Sequence, residues 1–563
     1  MSQKANYSST NISSLTFFTI FMRSKIALLI FILSINAHAQ NLTQEKTKEI
    51  NALFNSYFSK NKPGATFTIL KNRKEIFQKS EGLANVENQV SINTSTRFNI
   101  ASVSKQFTTY LALLLEAEGK LSFTDDVRKH LPELNHLPSK ITIKQLTNHT
   151  HGLPNPDELA QLSGKNSMHF EEIVAMLLKI KKPTFLPGEK FDYNNTGYIL
   201  LAEIIERIGK SSFEEQLKQK IFSPLGMHNT YAVKYTNSVV KNKAFSYQER
   251  NGNYIQQPVK LATIGSSGIY TSIHDLSLWA NNYHDIKLGQ REFYNRMEEV
   301  TVTDSQIKTN YGLGLHKDVY KGIEIVFHGG GTESYRSYIL HVPSHKLSFV
   351  FLSNAGGMTG LDVVYNSLEI VLNEELTEPT SKTNSNNTNL KDFEGTYEIY
   401  PGYYYNFIIE KGKLCWQQFG GDVKTPLKSL GNNAFEFPYI PHSKFVFHKN
   451  RINFHVADIT RYCKKVSFEQ TPNLLESDLS KYVGFYKNEE LNTIYELKII
   501  DNELVAKHNS NNTILLKVLE KDSFYTNEYY FGKVDFIKNS SKEITGLKVS
   551  AQYLNEIEFK KIK

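Results

Sequence analysis

Arg97-Phe98-Asn99-Ile100-Ala101-Ser102-Val103-Ser104-Lys105 leads directly into Gln106-Phe107-Thr108-Thr109-Tyr110-Leu111-Ala112-Leu113-Leu114-Leu115-Glu116-Ala117-Glu118-Gly119. From Val103 onward the apolar residues recur at helical spacing and the glycine supplies a stop, so the stretch predicts a helix over 103–118. Residues three apart share one helical face, which brings the Lys105 amine to the Ser102 hydroxyl. A serine hydroxyl is a poor nucleophile at neutral pH and needs a base beside it. A lysine nearly buried among other donors loses basicity and can fill that role. A helix beginning at Ser102 also turns free amides and the positive end of its dipole toward negative charge developing there. The Ser-x-x-Lys spacing alone proves little, because Ser59/Lys62 and Ser305/Lys308 repeat it. What sets Ser102 apart is its lead-in and the long amphipathic segment behind it.

Outward from this helix, Gly64 to Ser80 reads as two strands joined around Asn72-Arg73, and Phe170–Ile180 and Tyr198–Gly209 read as helices. The β-rich runs Ile323–Phe327, Tyr335–Val342 and Leu347–Ser353 follow, then a last helix near Leu361–Leu376. Strands at both ends with helices between them predict an α+β fold, an antiparallel sheet whose first strands come from the N-terminal side. Two further motifs fall in this region. In Tyr193-Asn194-Asn195 the phenol could relay a proton to a leaving group, and the Asn195 amide could bond the lysine or a substrate. The same form at Tyr404/Asn406 and Tyr525/Asn527 reads as turn residues. In His328-Gly329-Gly330-Gly331, glycines would let a substrate lie along a strand edge while a main-chain amide completes an oxyanion hole with that of Ser102. A hairpin turn with a surface histidine is the plainer reading of that segment taken alone.

In this order and spacing the three motifs resemble the serine β-lactamase and penicillin-binding-protein superfamily, especially its class C-like branch. Leu146-Thr147-Asn148-His149-Thr150-His151-Gly152-Leu153-Pro154, Leu186-Pro187-Gly188, Pro224-Leu225-Gly226-Met227 and Gly268-Ile269-Tyr270-Thr271-Ser272 look like the family too, so the resemblance covers about residues 45–376. It implies Ser102 as nucleophile, Lys105 as its proton partner and Tyr193 as general acid/base. Asn195 would position the substrate, and His328 and Gly330 would lie on the substrate-facing strand. The amides of Ser102 and Gly331 would form the oxyanion hole. True β-lactamases of this branch normally begin the third motif with lysine, so His328 counts against efficient β-lactam hydrolysis.

Beyond residue 376 the composition changes. Residues 377–389 hold almost nothing apolar and read as a linker, and Leu390-Lys391-Asp392-Phe393-Glu394-Gly395-Thr396-Tyr397 recurs as Leu479-Ser480-Lys481-Tyr482-Val483-Gly484-Phe485-Tyr486. Each copy opens a strand-rich stretch, which predicts two small β-barrel-like domains, 390–470 and 479–563, with Pro472–Asp478 as the joint. In arrangement they resemble the barrels attached to D-aminopeptidase-like members of the superfamily. Cys415 and Cys463 could bridge or stay as two buried thiols. At the other end, Arg23-Ser24-Lys25, the apolar run Ile26 to Ile35 and Ala37-His38-Ala39 read as an export signal over residues 1–39, with Met22 as a possible true start. The run is too short to span a bilayer, so the mature chain is expected to begin at Gln40 of a 40–376 hydrolase domain, periplasmic or secreted, without stable membrane insertion.

The formal charge of +8 falls to +5 without residues 1–39 and is scattered, so no nucleic-acid partner is expected. No cofactor and no metal are expected, and His149-Thr150-His151 reads as a loop because zinc hydrolases need a longer ligand cluster. The expected partner is a small peptide, ester or β-lactam-like substrate. Three readings stay open: a serine peptidase or amidase on small peptides, a β-lactamase or broad esterase, and an inactive binding protein using its aromatic-rich barrels. The sequence leaves the oligomeric state open.

Overall fold

The computed structural model describes residues 42–357, 359–377, 389–440, 443–456, 459–468 and 476–562. The expected export signal and nearly all of the 377–389 linker lie outside the described residues. The first region opens with α1 (Gln44–Tyr57) and the hairpin β1 (Ala65–Lys71) and β2 (Lys74–Glu81), followed by helices α2 (Ser104–Ala117), α3 (Pro156–Leu162) and α4 (Thr196–Gly209). It ends with strands β3 (His316–Tyr320), β4 (Ile323–Thr332), β5 (Tyr335–Val342) and β6 (Leu347–Ser353), then helix α5 (Thr359–Leu372). The six strands form one antiparallel sheet in the order β3-β4-β5-β6-β1-β2, so the N-terminal hairpin completes a sheet begun by the last strands. Asn72 and Arg73 both adopt positive φ, as the tight turn between β1 and β2 requires.

Alternation along the strands explains why the sheet is covered on both faces. Phe67, Ile69, Phe349 and Phe351 pack on α1 and α5, whereas Leu70, Val326, Val350 and Leu352 join the core of the helical region. Within that second core α2 is buried on nearly every side. Its ring Phe107 stacks 4.2 Å from Trp279, whose indole donates to Gln106 at 2.9 Å. Gly119 in the left-handed region ends the helix, as expected. Boundaries moved modestly elsewhere: the helix expected over 170–180 spans Phe170–Leu177, and α5 starts and stops earlier. His316–Tyr320, a strand the sequence reading did not single out, pairs with β4.

Downstream, eight strands between Gly484 and Lys561 close into a barrel, and nine strands between Gly395 and Val466 form a single curled sheet that stops short of closure. Both copies of the repeat begin alike, with a short 3-10 turn followed by a glycine of positive φ at the first strand position, Gly395 and Gly484. Cys415 and Cys463 are both free and buried. No helix among the described residues is long and apolar enough to cross a membrane.

The closed barrel is docked on α3. Tyr495 Oη donates to the Leu162 carbonyl at 3.0 Å, and Asn511 exchanges bonds with both the backbone and the side chain of Gln161. Gly164 meets the barrel so closely that a Cβ there would lie 2.0 Å from the His508 ring. At the opposite edge of the helical core, Asn354 is fully buried and ties three segments together. Its Oδ1 accepts from the Gly64 amide at 2.8 Å, and its Nδ2 donates to the Leu83 and Phe245 carbonyls. Replacing it by alanine strands these groups away from water, so Asn354→Ala is expected to lower unfolding stability by about 3 kcal/mol in urea titration.

Candidate active site

Ser102 sits on a 3-10 turn, Ala101–Val103, that runs into α2. The turn is held open against preference: Ala101 has φ of 45°, a conformation L-residues rarely adopt, and its amide donates to Asn99 Oδ1 at 2.8 Å. One helical turn on, Lys105 is completely buried. Its amine reaches Ser102 Oγ at 3.1 Å, Asn195 Oδ1 at 2.9 Å and the Ser266 carbonyl at 3.1 Å. Burial lowers its pKa to about 7, against a smaller opposing pull from Asp157. The amine also lies 5.0 Å from the centre of the Tyr193 ring. Tyr193 and Ser102 line the same cavity.

Asn195, next to the first residue of α4, is fixed from both ends. Its amide donates to Asn155 Oδ1, and its side-chain Nδ2 donates to Asp157 Oδ2 at 3.0 Å, which turns Oδ1 toward the lysine. Asp157 and Glu158 stand in the first turn of α3, where the helix dipole favours carboxylates. Glu158 is nearly dry, and burial, helped by the charge of Asp157, raises its pKa to about 8.

The third motif is a strand and not a turn. His328 to Gly331 continue β4, and the reversal comes later, at Glu333 and Ser334. β3 accompanies β4 only as far as Phe327, whereas β5 pairs with it through Thr332. The outer edge from His328 to Thr332 is therefore unpaired among the described residues and faces the Ser102 turn. Gly330 has to be glycine for steric reasons, because a Cβ would lie 2.4 Å from the Ile100 carbonyl and 3.0 Å from the Ser102 amide. His328 is buried, with Nδ1 against the Gly329 carbonyl at 2.6 Å and Nε2 3.2 Å from the Tyr311 hydroxyl. Burial, reinforced by Lys105, lowers its pKa to about 3, so the imidazole is neutral. The ring is buried on the strand, where the family resemblance places it, and the plainer reading of a turn with a surface histidine does not hold.

All seven residues singled out from the sequence (Ser102, Lys105, Tyr193, Asn195, His328, Gly330 and Gly331) meet at this place. Around Ser102 lie two cavities, and Gly331, Thr332 and Glu333 border both. One, of about 460 Å³, is bounded by Tyr193, His328, Arg336 and Val456. The other, of about 420 Å³, is bounded by Asn195, Asp157, Glu333, Lys260 and Tyr529. Val456 belongs to the nine-stranded sheet and Tyr529 to the closed barrel, so both C-terminal domains contribute walls. Sequence reading missed Asp157, Glu333, Arg336, Tyr311 and these two residues. Asp157 carried a faint signal in the Asn-Pro-Asp helix start; the others carried none. His149 and His151 lie in a loop, as expected, and both are fully buried. The His149 ring lies 4.2 Å from that of Tyr193.

A family model described as Beta-lactamase matches residues 39–370, and the chain belongs to that family. Among curated relatives, Protein flp of Staphylococcus aureus is 29% identical over 326 residues, covering 56% of this chain and 64% of that protein. The chain thus matches just under two thirds of that relative's length. An octameric penicillin-binding protein homologue from Pyrococcus abyssi superposes with a TM-score of 0.52 at 24% identity, covering 75% of this chain and 98% of the other. A D-amino acid amidase from Ochrobactrum anthropi does so at 0.50 and 18% identity, covering 59% and 100%. At these identities the two structures show the shared fold.

The glycine geometry gives a paired test. Gly330→Ala is expected to cost about 1–3 kcal/mol in denaturant unfolding, since the strand must back away from the Ser102 turn. Gly331→Ala, whose Cβ meets nothing closer than 3.5 Å, should stay within about 0.5 kcal/mol of the parent.

Proposed function

We propose that the protein is a serine peptidase or amidase acting on small peptides or amino-acid amides through a Ser102 acyl-enzyme. The single observation that carries the reading is the fully buried Lys105 amine, 3.1 Å from Ser102 Oγ, with a pKa brought down to about 7 by burial. In the neutral form it accepts the Ser102 proton as Oγ attacks the substrate carbonyl. The amides of Ser102 and Gly331 hold the oxyanion, the C–N bond breaks, and Tyr193 delivers a proton to the departing amine. The tyrosinate regains its proton from the Lys105 ammonium; water then attacks the ester, gives one proton to the Lys105 amine, and that proton passes to Ser102 Oγ as the acid departs.

The two cavities support the substrate class. Because Tyr193 protonates the leaving group, the cavity it lines takes the leaving side, and the one lined by Asn195 takes the acyl side. The acyl side is lined by the carboxylates Asp157 and Glu333 and by Lys165 and Lys260, with Tyr529 as a wall, and Glu333 also borders the leaving side. Asp157, bonded to Asn195 next to the Lys105 amine, is the carboxylate nearest the reacting groups by that chain of bonds, and it suits a short acyl residue with a protonated amine. On the leaving side the Arg336 guanidinium suits a carboxylate-bearing leaving group. The neutral His328 in place of a lysine disfavours the β-lactamase reading. The shared fold with a D-amino acid amidase agrees with amide cleavage. Export belongs to the same proposal and rests on the charged, apolar and small-residue segments of residues 1–39; N-terminal sequencing of protein from the native cell should then begin at Gln40.

The test is hydrolysis of the p-nitroanilides of both alanine enantiomers, free and N-acetylated. The free-amine form of one enantiomer should be cleaved at least about tenfold faster than its acetylated form, with no turnover by Ser102→Ala. Equal cleavage of free and acetylated substrate would reject the amine reading, and turnover by Ser102→Ala would reject the mechanism. Glu333→Gln should raise KM for the free-amine substrate by about tenfold and leave the acetylated one alone. The neutral amine is the reactive form, so kcat/KM should climb with pH through a limb near 7. A profile flat from pH 5 to 9 would remove Lys105 as the base.

A further inference from the structure

The two C-terminal repeats start from the same motif yet finish differently. In the closed barrel the interior is filled by its own side chains, Tyr482, Tyr486, Tyr495, Phe524 and Phe531 among them, all at most 3% exposed. In the nine-stranded sheet the edge strands Lys424–Pro426 and Ser429–Gly431 do not pair with each other, although they are close in sequence. At the end of that sheet marked by Gln418 and Phe437 lies a cavity of about 550 Å³. Five aromatic residues wall it: Tyr403, Tyr405, Trp416, Phe437 and Tyr439. Trp416 stands edge-on to Tyr405 at 5.2 Å and to Phe437 at 5.6 Å, and Tyr439 lies across its face at 5.2 Å. Tyr439 is 55% exposed, which is unusual for a residue so placed.

From this cavity we propose a saccharide-binding site on the nine-stranded domain, separate from Ser102 and independent of the reaction assigned to it. Three features select the ligand class. Beneath the cavity the sheet is plugged by Phe407, Phe445, Phe447 and Phe454, so no bore exists for an acyl chain to thread. The aromatic rings pack edge-on or tilted against one another at 5–6 Å instead of facing across a gap, so they form no cage for a quaternary ammonium group, and the exposed Tyr439 ring offers a face to a ligand. The polar complement is that of a neutral, hydroxyl-rich ring. Gln418 and Asp422 line it, and Asp422 is exposed with no ion pair among the described residues. A pyranose would lay its C–H face on the exposed Tyr439 ring and spend its hydroxyls on Gln418 and Asp422.

The site also faces the right way for a composite substrate. In the hairpin of Lys444–His448 with Arg451–Val456, Lys444 pairs with His455, so Val456 lies at the same end of the sheet as Phe437 and Tyr439. Val456 is the residue this domain contributes to the cavity beside Ser102. A saccharide held at the mouth would therefore sit at the end of the domain that borders the catalytic cleft.

Tryptophan fluorescence tests the proposal, because the chain has two tryptophans and Trp279 is sealed in the helical core. The full chain carrying Ser102→Ala, to prevent turnover, is titrated with a β-1,4-linked trimer of N-acetylglucosamine and with maltotriose. Choline and dodecanoate serve as parallel probes. A saturable change with at least one saccharide is expected, weakened about tenfold in Tyr439→Ala, whose exposed ring can be removed without unfolding the domain. Calorimetry of the same pair should reproduce the difference. The proposal is overturned by no saturable response to either saccharide at millimolar concentration. It is equally overturned by a response that Tyr439→Ala leaves unchanged, or by one confined to choline or dodecanoate.

Discussion

The burial of one amine governs much of this structure. Lys105 is dry, and a lysine in water would hold its proton to a pH near 10.5, whereas here the proton leaves at about 7. The folded pKa is the lower one, so the unfolded chain binds more protons between these values and stability rises with pH across that window. Holding the ammonium form costs roughly 5 kcal/mol at and below neutrality. The Asn195 and Ser266 carbonyl oxygens accept two N–H bonds and offset part of that cost; in the neutral amine this leaves the lone pair for the Ser102 hydroxyl. The apolar packing of α2, the strained Ala101 and the glycine edge of β4 all serve the same end. They bring a buried amine of lowered pKa and a hydroxyl within hydrogen-bond distance.

α3 links this centre to the far C-terminal barrel. Its first turn carries Asp157, which aims Asn195 at the amine, and its last turn is gripped by Tyr495 and Asn511. A seven-residue helix is stiff over that length, so the seating of the barrel and the placement of Asn195 are mechanically joined. Tyr529 and Val456 then shape the cavities from outside. The accessory domains are in this sense walls of the active site as well as appendages.

The legibility of this arrangement in the sequence followed the range of each interaction. Helix periodicity, the Asn72-Arg73 turn and the i to i+3 relation of Ser102 and Lys105 are local, and each was readable directly. The meeting of Ser102 with Tyr193 and His328 is not local; ordered motifs made it legible only through resemblance to a family. The state of His328 was unreadable, since an exposed turn and a buried strand can share the same four letters. It is the pairing of β4 with β5, and the packing of Tyr311 on its open side, that buries the ring. Tyr529, Val456, Glu333 and Arg336 enter by tertiary placement alone, and nothing in their neighbouring residues announces it. The failure of the nine-stranded sheet to close was likewise hidden, because strand-rich composition does not specify whether the last two edges meet.

The sheet order has a consequence for how such a chain comes to be. Ala65 pairs with Ser353, so one of the first strands to emerge during synthesis pairs at once with β2 but finds its second neighbour only after the whole helical region and three more strands of the sheet have followed. Loop closure over such a separation is slow, and until it happens β1 presents an apolar, unpaired edge. The order of synthesis and the order of closure run in opposite directions. A chain built this way spends its early life with its most adhesive strand exposed, and is one that a chaperone would have reason to hold.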